Sequence, residues 1–223
     1  MSDRAENTGD RADEIDGADG PGLDSFSRRR FLRWLAVIAV GALVLRVAYI
    51  LVFKRDEPAI GDAIYYSSQA IRLAQGRGFV HPFAGGPAAD HPPLTALAMA
   101  PVAWAFGTSL LVQRLAMAVV GTLVVAGIGV LGRTVSASGR VGLLAAGLAA
   151  VYPNLWLNDG VVMSESLATL TIVAIFLALY RGRGRYTAGR LAVIGLYYVK
   201  DAATLMSACR QLVQRNIQTK GES

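Results

Sequence analysis

The sequence predicts an all-α, polytopic membrane protein with about four to five transmembrane helices and interfacial helices in its first outer loop. Three observations predict it. Of the 223 residues, 53% are hydrophobic and only 17% charged, against about a quarter charged in an ordinary soluble domain. The mean hydropathy is +0.41. The apolar residues fall into long runs divided by small groups of arginines, so the net charge of +6 reads as membrane topology.

Residues 1–27 precede the first run. Eight of the sixteen acids lie in the first 24 residues, with almost no large apolar side chain among them. Such a segment cannot bury enough surface to fold alone, and a disordered acidic tail is expected. "SRRRFLRWLAVIAVGALVLRVAYILVF" (27–53) is then a basic cluster followed by an apolar run long enough to cross about 30 Å of hydrocarbon. "SRRRFL" also resembles a twin-arginine export signal. No small-residue cleavage site follows, and further spans come later, which favours an uncleaved anchor. Arg46 interrupts this run near its outer end, where it can snorkel.

Residues 54–107 form an outer loop. "GDAIYYSSQAIRLAQGRG" predicts a short helix capped by Asp62 and ended at Gly76 or Gly78. A Gly/Pro-rich loop leads to "DHPPLTALAMAPVAWAFG", whose apolar part is too short to span and starts at two prolines. Further spans are expected at 110–132, 141–157 and 163–180, and a fifth apolar run starts near Arg190. If the 94–107 segment lies along the outer surface, Arg133, Arg140, Arg181, Arg183, Arg185 and Arg190 all face the cytoplasm with Arg28, Arg29, Arg30 and Arg33. The positive-inside rule prefers this arrangement. The N-terminus is then cytoplasmic, and Asp62, Asp90, His91, Asp159 and Glu165 meet at the outer face.

Composition also narrows function. No basic stripe interleaved with aromatics marks a nucleic-acid partner. The single cysteine excludes an intrachain disulfide framework. His81 and His91 match no metal-ligand spacing; no metal-binding residue is assigned, and the cofactor is left open, a divalent ion included.

"GDAIYY", "DHPPL", "LVQRLAMAVVGTLVVAGIGVLGR" and "AAVYPNLWLNDGVVMSESL" together resemble the N-terminal half of bacterial family 39 glycosyltransferases. These belong to the C-type (GT-C) superfamily, with the protein O-mannosyltransferases and the lipid A aminoarabinose transferases. The resemblance covers residues 30–185 and rests on the order of the motifs. It implies an enzyme of the cell membrane that moves a sugar from a polyprenyl-phosphate donor to a lipid or protein acceptor outside the cytoplasm. It implies that Asp62 is the catalytic acid/base group. Asp90, His91 and Glu165 match substrate-site positions, with His91 where lysine is commoner.

The chemistry independently asks for such groups. A carboxylate can take the proton of an attacking hydroxyl, and arginine suits the leaving phosphate. Arg72, Arg77 and Arg114 are the candidates. Asp62, Asp90 and Glu165 could each serve only a helix start. Tyr65, Tyr66, Trp104 and Trp156 read first as interfacial aromatics. The competing functions are a transporter or flippase subunit and a non-catalytic scaffold. Beyond 195 the Arg/Ala/Gly-rich character ends, and 196–223 read as an atypical tail, as a truncated or frame-shifted chain would have, after a partial GT-C-like domain at 28–195.

Overall fold

The computed structural model describes residues 27–85 and 91–182. The acidic tail, Asp90, the fifth apolar run and the atypical tail lie outside them. Among the described residues the chain is helical throughout. Its elements are α1 (Arg28–Tyr49), a π-helical turn (Ile50–Lys54), α2 (Asp62–Ala74), α3 (Pro93–Phe106), α4 (Leu110–Ser136), α5 (Gly139–Val151), α6 (Pro153–Asp159) and α7 (Glu165–Gly182).

Two helices are long and apolar enough to cross a membrane. They are α1 with its π-turn, Arg28–Lys54, and α4, each 27 residues long. Their sides expose large apolar residues, among them Val37, Val40 and Val44 on α1 and Val119 and Leu123 on α4. Such rows suit lipid rather than water. Ser27 caps α1, its hydroxyl accepting from the Arg30 amide at 3.3 Å. The π-turn, absent from the expectation, carries the helix on to Lys54 by a local change of hydrogen bonding.

The expected span at 141–157 is not one helix. It breaks at Tyr152, and α5 and α6 meet at a bend of 54°, so together they make a third candidate span only if the bent pair is counted as one. Pro153 is the cause. It forces Tyr152 into the extended region (φ −70°, ψ 115°) and opens α6 as its first residue. The expected span at 163–180 falls on the 18-residue α7, which is not among the described helices that are long and apolar enough to cross a membrane. The 94–107 segment is α3, 14 residues long with Pro93 in its first turn, as the two prolines and the length predict.

Glycines set the contact between α4 and α5. A Cβ on Gly142 of α5 would stand 2.6 Å from the Gly129 carbonyl oxygen of α4, and one on Gly129 would meet Ala146 at 2.9 Å. Backbones approach this closely only over small residues. Phe31, Leu35 and Ala42 of α1 pack on Val125 of α4 and on Ala146, Ala149 and Ala150 of α5. At the arginine-rich end of the bundle the Arg133 guanidinium lies 4.6 Å over the Phe31 ring. At the opposite end a second cluster of Tyr65, Tyr66, Ala70, Met99, Met117 and Val162 joins α2 and α3 to α4 and to the turn before α7.

Candidate functional site

Asp62 opens α2, but it does not cap it. Gly61 is the N-cap, with φ 59° and ψ −134° and no side-chain capping bond. Only glycine adopts that conformation without strain. The Asp62 carboxylate is therefore left for other partners. Its Oδ1 lies 3.4 Å from His91 Nε2, with the Asp62 side chain 58% exposed and that of His91 24%. The carboxylate thus faces solvent while the imidazole backs it. Asp62 and His91, 29 positions apart, meet because α2 and α3 lie side by side.

The imidazole is fixed by aromatic packing. Its ring stacks on Tyr65, with centroids 4.0 Å apart and planes at 20°. It meets Tyr66 edge-on at 5.6 Å. Tyr65 and Tyr66 are 5% and 2% exposed. They are packed supports of the site, which corrects their reading as belt aromatics. Both lie on the inner side of an amphipathic α2, where α3 and α4 cover them. Trp104, 78% exposed on α3, fits the belt reading.

Tyr66 links this group to the start of α7. Its phenol is hydrogen-bonded to the Ser164 side chain, and the Glu165 carboxylate is close enough to act on it electrostatically. Burial raises the Tyr66 pKa above its ordinary 10, the Ser164 hydrogen bond lowers it, and the Asp62 and Glu165 charges raise it. Glu165 itself is exposed in the first turn of α7. Asp62, His91 and Glu165 are thereby brought to one end of the bundle, around two tyrosines.

The three arginines are placed differently. Arg114 is buried, and its Nη1 donates to the carbonyl oxygens of Lys54 and, at 2.9 Å, Glu57. It fastens the chain leaving the π-turn to α4. Arg72 Nη2 donates to the Pro82 carbonyl at 2.8 Å and holds the loop after α2. Arg77 is exposed. Arg55, also exposed at this end, had no motif to distinguish it.

His81 serves the same loop. Its Nδ1 accepts from the amides of Phe83 at 3.1 Å and Ala84 at 2.9 Å, so that nitrogen carries no hydrogen. Among the described residues no three His, Cys, Asp or Glu side chains come together to hold a metal ion.

One buried group was weighed only singly in the sequence. Arg46 Nε donates to Asp159 Oδ2 at 2.6 Å, and neither side chain is exposed. Ser166 Oγ donates to Asp159 Oδ1 at 2.6 Å. Arg46 does not snorkel, and Asp159 is its buried partner rather than a residue of the outer surface. The charge sign of Arg46 and its depth in an apolar run were the available signal, since such a charge requires a partner. Comparison with protein-family models, with curated proteins and with solved structures finds no match to this chain.

Proposed function

We propose that the protein is a cell-membrane glycosyltransferase of the GT-C type, or a partial form of one, that transfers a sugar from a polyprenyl-phosphate donor to a hydroxyl acceptor. The observation that carries this reading is the exposed Asp62 carboxylate, backed by His91 on a stacked tyrosine. In the proposed reaction Asp62 takes the acceptor O–H proton while that oxygen bonds to the anomeric carbon. The bond from that carbon to the phosphate oxygen breaks, and its electron pair leaves on the polyprenyl phosphate. One base is sufficient for such a displacement with inversion.

His91, donating from Nε2, would orient the base and keep its charge on the acceptor side. Glu165 would bind hydroxyls of donor or acceptor. Asp90, next to His91 in sequence, keeps its proposed place in the substrate site. Arg77 and Arg55 have the exposure a phosphate partner needs, whereas Arg72 and Arg114 are engaged by main-chain carbonyls. The proposal includes four to five spans, a cytoplasmic N-terminus and the Asp62 site outside. Arg28, Arg29, Arg30 and Arg33 of α1, Arg133 of α4, Arg140 of α5 and Arg181 of α7 stand at the helix ends away from Asp62, which supports that orientation.

A flippase or transporter subunit is the second reading, favoured by the buried Arg46–Asp159 pair beside a broken helix. Both Asp159 oxygens are taken, by Arg46 and by Ser166, which favours a structural part for the pair.

The test is sugar transfer from a polyprenyl-phosphate donor by membranes containing the protein, with Asp62→Asn as the comparison. Loss of a general base lowers the rate by about 10² to 10⁴. Wild-type transfer with Asp62→Asn at near-normal rate would remove Asp62 from the chemistry.

A further inference from the structure

The turn between α6 and α7 is held from below. Asp159, the last residue of α6, receives Arg46 on one carboxylate oxygen and Ser166 on the other. Arg46 is itself fixed by a bond from Nη1 to the Ala42 carbonyl at 3.1 Å. The carboxylate fits because α4 has no side chain opposite it. A Cβ on Gly121 would lie 1.9 Å from Asp159 Oδ2. Within the turn, Val162 is fully buried at φ +35°. A β-branched residue stays in that region only where its surroundings force it. Ser166 is two residues from Ser164, which holds Tyr66, and Tyr66 flanks His91 beside Asp62.

We propose that Arg46, Asp159 and Ser166 are positioning residues that set the first turn of α7 and, through Ser164 and Tyr66, the imidazole of His91 against Asp62. The inference rests on the proposed transfer reaction for its catalytic consequence, while the coupling itself is read without any activity. A two-histidine chain allows this. In full-length protein labelled with ¹⁵N-histidine, only His81 and His91 give ring signals.

Asp159→Asn leaves Arg46 without its counter-charge and can fail to fold, so Ser166→Ala is the main variant. It removes one hydroxyl from a buried site and no charge. The expected result is a moved His91 ring signal and an unmoved His81 signal, with Ser166→Thr returning the His91 signal. For sugar transfer, kcat should fall about tenfold to a hundredfold, as small misplacements of reacting groups do, with the donor KM unchanged and Ser166→Thr restoring the rate. A His91 signal that ignores Ser166→Ala overturns the inference, whatever happens to the rate. If wild-type protein transfers no sugar but His91 responds to Ser166→Ala, the coupling stands and the glycosyltransferase reading fails.

Discussion

Arg46 and Asp159 stand 113 positions apart and meet at 2.6 Å, with both side chains removed from solvent. A lone ion within apolar helices is expelled or neutralised, so each of these residues requires the other. Removing one partner of a buried pair leaves an uncompensated charge and costs about 3–5 kcal/mol. Asp159→Ala and Arg46→Leu should therefore each destabilise strongly, and the double variant should lose much less than the sum. Thermal or denaturant unfolding in detergent micelles measures the cycle. Additive single effects would show that the pair is not coupled.

Gly121 makes room for that carboxylate. Gly121→Ala places a methyl group where Asp159 Oδ2 now lies. Overpacking alone costs about 1–3 kcal/mol, and a displaced carboxylate adds the loss of the pair. Gly121→Ala in the background of Arg46→Leu/Asp159→Ala should be far milder, because the obstructing side chain is gone. Equal destabilisation in both backgrounds would contradict the geometry.

Tyr66 should report on its neighbours. Its titration, followed by ultraviolet absorbance against a Tyr66→Phe control, should lie above 10 because the phenolate is poorly solvated. Asp62→Asn removes a charge that raises the value and should lower it. Ser164→Ala removes a hydrogen bond that lowers it and should raise it. The unfolded chain releases this proton near 10 and the folded chain retains it. Tyr66 therefore works against stability only as the pH rises above about 10 and has no effect below it.

Single cysteines test the proposed orientation. Labels at Gly85 and Asn158 should react with an impermeant reagent from outside, and one at Ser138 should not, in a background with Cys209→Ser. Gly85 belongs to the loop that His81 organises, and Ser138 caps α5 at the arginine-rich end. Outside labelling at Ser138 would reverse the α4–α5 connection and remove Asp62 from the outer face.

The sequence by itself determined the helical class, both long apolar helices, the short α3 and the start of α7 at Glu165. These follow from local quantities, namely apolar run length, two consecutive prolines and an acid in a first turn, which act without regard to distant residues. The break at Pro153 was equally local, but the apolar run hid it because hydropathy does not register backbone geometry. The tertiary structure alone decided the rest. The burial of Tyr65 and Tyr66 depends on α3 lying against α2. The Asp62–His91 approach needs Gly61 to act as the N-cap in place of Asp62. Arg46 finds Asp159 only when α6 bends back over α1, because electrostatic pairing in an apolar bundle is set by which helix ends meet, and chain order does not encode that.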